Sequence, residues 1–491
     1  MTFTPEPWEA PAPGHWRRDF RIAEWLPAPM SPSFETWLLP LLEEGYRDAS
    51  AQAFGFRLGE RLHVSVNGWY FTNEGSVDGL LRTLARRPRT MLSQGIALAT
   101  FPTRPERARE ALARPGQQFH DAVVLPQLRE ASAAADRYMA DDPVGAIDRL
   151  GRASGALLLT MITTVGYASK AEFALARFLR THLPEDQRVS HLALLAGVVC
   201  PTGPQAHDVV SLDWIEPTFG EWAADPAPAA SPTEERHEQL RIDAGLETDR
   251  CRALLPESRR ARFDELVALA REAIVDREAR AGEMTGAWPE LRRTMASIGA
   301  TLASAGVVAD AADVYFLERD EILAGINGQA NSLAVEVDER RVRREAQRRL
   351  AAPLALGEPA GPWKNETTIV ASLRHPLAPG ADPLVQGVPT SAGTAEGPVR
   401  IVRGLEDFAD LAPGEVLVAP VTAPAWTPLF ALAAAVVTDG GSAFSHTSVV
   451  AREYAIPAVV GTGDATTTLR TGDHVRVDGH TGAVTLFEAR R

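Results

Sequence analysis

Lysine is almost missing from this 491-residue chain: only Lys170 and Lys364 occur, so 48 of its 50 basic side chains are arginine. A self-contained ATP site usually takes a glycine-rich phosphate loop with a well-placed lysine. No GxxxxGK[ST] is present, and neither lysine sits in a glycine-rich turn. A familiar ATP site is therefore not expected here. Cysteine is equally scarce. With Cys200 and Cys251 alone there is neither a disulfide framework nor a thiolate metal cluster, and no metal site is expected. No apolar run reaches the ~18 residues of a membrane span; residues 155–168 come nearest, and they are short and rich in threonine. The first twenty residues lack the basic-then-apolar order of a signal peptide, so the expectation is a cytoplasmic protein without a membrane partner. A net charge of −14 with no basic block fits nucleic acid poorly, because that binding is driven by Lys and Arg neutralising phosphates.

What is present is an ordinary globular composition, 45% apolar and 23% charged, so a large core can be buried. At about 150 residues per domain the length suggests about three domains, but the sequence supports two. Residues 1–350 are expected to form a mainly α-helical domain that binds a small molecule. Residues 143–183, 257–280 and 290–305 carry apolar side chains at three-to-four spacing, while the alternation over residues 64–71 predicts a strand or hairpin. A Pro/Ala-rich break falls at 224–232. Residues 351–383, rich in Pro, Gly and Ala, read as a linker. From residue 384 to 491 short β-branched runs alternate with glycine turns and one short helical pattern, which predicts a compact α/β domain.

The densest chemistry lies in Thr438-Asp439-Gly440-Gly441-Ser442-Ala443-Phe444-Ser445-His446-Thr447-Ser448, running on to Arg452-Glu453. An apolar strand enters a Gly-Gly turn and a helix opens with His446 near its start. Gly440 and Gly441 let the backbone approach a ligand. The first helical turn offers free N–H groups and the positive end of the helix dipole to an anion. Ser445, Thr447 and Ser448 add hydroxyls, Arg452 and Glu453 supply charge, and a neutral imidazole is a nucleophile at pH 7. A lone histidine near a helix start is more often structural. The other ten histidines of the chain sit in no such setting.

The run Gly440-Gly441-x-x-x-Ser445-His446-x-x-x-x-Ala451-Arg452-Glu453-x-x-Ile456-Pro457-Ala458-Val459-Val460-Gly461, with Gly472-Asp473-x-Val475-x-Val477-Asp478-Gly479-x-x-Gly482-x-Val484 after it, resembles the swivelling phosphohistidine domain of the phosphoenolpyruvate-utilising enzymes. The piece Gly387-Val388-Pro389-Thr390-Ser391-Ala392-Gly393 looks like the start of the same domain. The resemblance implies that His446 is phosphorylated and shuttles between a nucleotide site and a substrate site. Phe444 stands where dikinase members carry a regulatory threonine, which argues against that control. The rest resembles more weakly the antibiotic-binding domain of rifampin phosphotransferase, through Trp25-x-Pro27-x-Pro29-Met30-Ser31-Pro32-x-Phe34 and Asp313-Val314-Tyr315-Phe316-Leu317-x-x-x-Glu321. That architecture runs ATP-grasp, substrate and histidine domains, and this sequence matches the last two. ATP and Mg are accordingly expected, if at all, on an ATP-grasp partner.

One departure matters. Where the family has Gly-His-Arg…Glu-x-Asp-Leu…Pro-Arg-Trp, the nearest match is Gln205-Ala206-His207, then Ser211-Leu212-Asp213-Trp214 and Pro217-Thr218-Phe219, so an arginine and a glutamate are lost. Weaker site candidates are Trp69 and Tyr70 as pocket lining, an acid/base pair of His207 with Asp213, and the charged residues Arg271, Glu272, Arg277 and Glu278 facing a cleft. Each has a plainer alternative as core aromatics, a surface pair or a solvated helix face. Three functions stay open. The first is a phosphotransferase-like enzyme of secondary or antibiotic metabolism, with His446 carrying phosphoryl to a hydroxyl of an apolar small molecule. The second is a repurposed relative using His446 as general acid/base in dehydration, isomerisation or cyclisation. The third is a non-catalytic metabolite-binding protein.

Overall fold

The computed structural model describes residues 3–18, 21–55, 61–73, 88–138, 141–184, 187, 189–198, 205–222, 234–358, 383–443 and 445–486. Cys200, Lys364, Phe444, the break at 224–232 and most of the expected linker lie outside the described residues.

The helical region is organised on one element, α2 (Pro143–His182), 40 residues long and so about 60 Å from end to end. Its start is set locally. Pro143 occupies the first turn, where its missing N–H costs nothing, and the Asp142 carboxylate accepts from Gly145 N at 2.9 Å. Helix α1 (Leu39–Phe54) crosses it at a contact of small residues. A Cβ on Gly155 would lie 2.2 Å from Leu42 O, and one on Gly45 would lie 2.0 Å from Arg152 O. Glycine is what lets the two backbones touch. Two further helices follow, α3 (Glu234–Leu254) and α4 (Glu257–Glu283). Phe263, Leu266, Val267, Ala270, Ala273 and Ile274 form the buried stripe of α4, packed on Ala168, Ala171, Leu175 and Phe178 of α2. The rings of Phe178 and Phe263 stack at 6.2 Å.

A four-stranded sheet closes one side of this region, in the order β2 (His63–Val66), β3 (Trp69–Asn73), β1 (Trp16–Arg17), β4 (Ala355–Leu356). The expected strand signal at 64–71 is thus a hairpin. Strand β4 falls inside the stretch read as linker, and it is tied to β1 by the pairs Trp16↔Leu356 and Arg17↔Ala355.

The C-terminal region is α/β, as expected. Its eight-stranded sheet runs β5 (Val385–Gln386), β12 (Ala483–Leu486), β11 (His474–Asp478), β7 (Thr394–Ile401), β8 (Val416–Ala419), β9 (Ala435–Thr438), β10 (Ala458–Val460), β6 (Val388–Ser391). Strands β7 to β10 pair in parallel and the flanking ones are antiparallel. Strands β8, β9 and β10 are buried along their whole length, which explains their unbroken Val/Ala runs. Helix α6 (His446–Glu453) follows β9, and α5 (Ala334–Arg348) is the last helix of the helical region.

The two regions touch. Val449 of α6 belongs to the α2–α4 core, while Val210 and Phe219 belong to the core under the parallel sheet. Trp222 meets Phe408 edge-on at 5.5 Å, and Arg348 of α5 reaches Glu406 at 3.2 Å. Among the described residues no helix is long and apolar enough to cross a membrane.

Candidate active site

His446 opens α6 at the C-terminal end of parallel strand β9, the edge at which open α/β sheets bind ligands. The turn between them depends on glycine. Gly441 has φ +97°, a conformation that side chains disfavour, and a Cβ on Gly440 would meet Val421 Cγ1 at 2.7 Å. The hydroxyls expected to face an anion are engaged inside the turn instead. Ser445 Oγ and Ser448 Oγ both donate to Ser442 O, at 2.9 and 2.6 Å, and Thr447 Oγ1 pairs with Thr422 Oγ1 at 2.7 Å. They stiffen the loop that presents the imidazole.

The imidazole is packed against the helical region. Its Nδ1 lies 3.7 Å from Glu278 Oε2 of α4, and among the described residues neither ring nitrogen makes a hydrogen bond. Arg277, almost fully buried, stands beside Glu278 at 2.9 Å, and its Nη1 is also without a hydrogen-bond partner. Two turns along α6, Arg452 Nη1 donates to Glu172 Oε2 of α2 at 3.3 Å. Arg452 Nη2 and Glu172 Oε1 stay unbonded. His191 Nε2 is 3.9 Å from the same carboxylate, and His237 of α3 lies 3.5 Å from Glu453. Buried polar atoms in native proteins are nearly always bonded. The contact between the two regions thus gathers several polar groups that bond to none of the described residues.

Electrostatics follow from burial and from these neighbours. Burial alone would push the Glu278 carboxyl up, but Arg277, His446 and Arg452 together hold it below the usual range, so it is anionic at neutral pH. Burial holds Asp208 above the usual range, against Gln205 N–H, His207 and His446, which pull it down. His191 is pushed down to about 3, by burial first and then by Arg452 and Arg180, and is neutral.

The other sequence candidates separate. Arg452 and Glu453 join the contact with the helical region; Gly440, Gly441, Ser445, Thr447 and Ser448 shape the turn. Of the charged quartet on α4, Glu278 faces His446 and Arg277 pairs with Glu278, whereas Arg271 donates to Leu194 O and Glu272 pairs with Arg109. The suggested pairing of His207 with Asp213 does not form. His207 Nε2 donates to Gly282 O at 2.9 Å. Asp213 instead accepts from Ser31 N at 2.5 Å and Ser31 Oγ at 2.7 Å, because a buried carboxylate and an open helix start satisfy one another. Trp69 and Tyr70 fall on opposite faces of β3, since cross-strand partners share a face: Val66 with Trp69, Ser65 with Tyr70. Trp69 lies in the outer aromatic cluster beneath Arg18, and Tyr70 turns inward to stack on His63. Sequence reasoning missed Asp208, Glu172, His191 and His237. Only Asp208 had a local signal, its place directly after His207, where the family motif has arginine.

Residues 411–482 match the family model described as PEP-utilising enzyme, mobile domain. The chain is 38% identical over 189 residues to the uncharacterised phosphotransferase YvkC of Bacillus subtilis, an alignment covering 38% of this chain and 23% of that protein. It is 46% identical over 140 residues to chondramide synthase of Chondromyces crocatus, covering 28% of this chain and 4% of that one. A rifampicin phosphotransferase of Streptomyces sviceus is 34% identical over 186 residues, 38% of this chain and 20% of that enzyme. The chain thus spans less than a quarter of each of these three relatives. On these grounds the chain carries the mobile domain of the phosphoenolpyruvate-utilising enzymes, and its similarity extends to the rifampicin phosphotransferases.

Proposed function

We propose that this protein is a phosphotransferase-type enzyme of secondary metabolism, in which His446 hands a phosphoryl group to a hydroxyl of a small molecule held by the helical region. One observation carries this. A histidine whose ring nitrogens have no hydrogen bond among the described residues faces Glu278, and two arginines, Arg277 and Arg452, act on that same carboxylate, each with one guanidinium nitrogen likewise unbonded. A phosphoryl group on imidazole is anionic, and buried guanidinium donors are the groups that stabilise one in transit. In loading, a ring-nitrogen lone pair forms the N–P bond as the donor's O–P bond breaks. In delivery, the acceptor oxygen bonds to phosphorus, the N–P electron pair returns to the imidazole, and the hydroxyl proton passes to a base. The donor in this proposal is ATP with Mg on an ATP-grasp domain or partner protein. The names of the relatives, two of them phosphotransferases, support the reaction class.

Incubation of the full chain with a candidate ATP-grasp protein and labelled ATP, and separately with labelled phosphoenolpyruvate, tests this directly. Acid-labile label on the wild type that is absent from His446→Ala is the expected result. No label from either donor overturns it.

A second function is favoured by the carboxylates. Glu278 and Asp208 act on the same imidazole, an arrangement suited to moving protons rather than phosphoryl. Activity on an unphosphorylated compound, lost in His446→Ala with no label ever formed, would establish acid/base catalysis of dehydration, isomerisation or cyclisation instead.

A further inference from the structure

His446 and Glu278 come from different regions: the imidazole sits on α6 behind the parallel sheet, the carboxylate on α4 of the helical region. Among the described residues neither imidazole nitrogen has a hydrogen bond, so nothing within the mobile domain sets where the ring proton resides. The groups around it differ in what they can accept. Arg277 and Arg452 are donors only. His207 is committed to Gly282 O. Asp208 accepts from Gln205 N at 2.7 Å. Glu278 Oε2, 3.7 Å from Nδ1, is the anionic acceptor nearest the ring, and it is one small side-chain adjustment from a hydrogen bond. Catalytic hydrogen bonds are often this long before substrate is in place.

We infer that Glu278 is a positioning residue that keeps the His446 proton on Nδ1 and leaves Nε2 as the lone-pair nitrogen, and that it does so only while the mobile domain is docked on the helical region. Which ring nitrogen is free is set by the hydrogen bond the other one makes. Here that partner is supplied across the contact, held in place by Arg452 on Glu172 and by Val449 in the α2–α4 core. A swung-out His446 leaves Glu278 behind and loses the constraint. In delivery, an imidazole that already holds its proton on Nδ1 is neutral once the N–P electron pair returns to Nε2. The consequence for phosphoryl delivery rests on the function proposed above; the proton position does not.

The test uses the full chain labelled with ¹⁵N in its histidine rings, with the His446 signals assigned by their loss in His446→Ala. The wild type at pH 8 should give a protonated Nδ1 and an unprotonated Nε2. Glu278→Ala should collapse this into a tautomer mixture, and Glu278→Gln, whose amide oxygen still accepts, should restore it. If Glu278→Ala fails to fold, Glu172→Gln, which loosens docking without touching the ring, should give the same mixture. A wild type that is already mixed, an unchanged tautomer in Glu278→Ala, or the same loss in Glu278→Gln overturns the inference. Phosphoryl labelling of the same samples keeps the two claims apart: an unlabelled wild type sinks the phosphoryl carrier and leaves the tautomer result standing.

Discussion

Two polar clusters in this protein differ in how completely they are bonded. Around Asp213, both carboxylate oxygens accept hydrogen bonds, from Ser31 N, Ser31 Oγ and Ile215 N, while Trp214 Nε1 donates to Ser33 Oγ at 2.8 Å. Around His446, two imidazole nitrogens, one nitrogen on each of two arginines and one oxygen of Glu172 have no hydrogen-bond partner among the described residues. The first cluster joins the segment around Trp25–Phe34 to the one around Asp213 and is finished as it stands. Burying an unbonded polar group is costly, so the incomplete cluster is where function is to be sought, and the complete one is architecture.

The contrast can be broken or sharpened by substitution. His446→Ala should abolish phosphoryl labelling while changing unfolding free energy by no more than about 1 kcal/mol, because functional sites are seldom tuned for stability; a denaturant titration reads the second half of that statement. Asp213→Ala should do the reverse. It strands several buried donors and should lower stability by about 3 kcal/mol, visible as a lower unfolding midpoint. A loss under 1 kcal/mol would mean the two clusters are not different in kind.

His191 gives a pH signature to the open cluster. Its pKa is depressed to about 3 in the folded chain, against about 6.5 in the unfolded one. The unfolded state therefore binds more protons between these values, and stability falls as pH drops through that window. From pH 6.5 to 5 the loss should be about 2 kcal/mol. Thermal melts across this range should show it, and His191→Gln should flatten the decline. The smallest effect is expected at Glu272, half exposed and paired with Arg109 at the surface. Glu272→Ala should cost no more than about 0.5 kcal/mol and leave labelling untouched. A large loss of labelling would return it to the cleft.

The turn that presents His446 was readable from the chain alone because its parts are local. Strand, Gly-Gly and helix start occupy one short stretch, and the glycines are needed for a positive φ and a close approach that no other residue tolerates. The same holds for the α4 stripe and the Asp142-Pro143 helix start. Trp69 and Tyr70 were not readable as a pair, because alternation along a strand sends neighbours to opposite faces. Nor was the fate of Ser445, Thr447 and Ser448, since a hydroxyl near a helix start can serve a ligand or the turn itself, and only geometry chooses. Residues 355–356 look like linker by composition, yet they are drawn into a sheet by a strand some 340 positions earlier.

By itself, then, the sequence determined the turn that presents the histidine, because strand, Gly-Gly and helix start reach only a few residues along the chain. Tertiary structure alone decided what that histidine faces. Glu278 and Asp208, which act on the imidazole, and Glu172, which holds Arg452, come from three separate stretches of the helical region, far from His446 in the chain, and no local pattern requires them to meet. They meet because Val449 and the Arg452–Glu172 pair seat α6 against α2 and α4. Long-range packing of this kind leaves no periodicity to read.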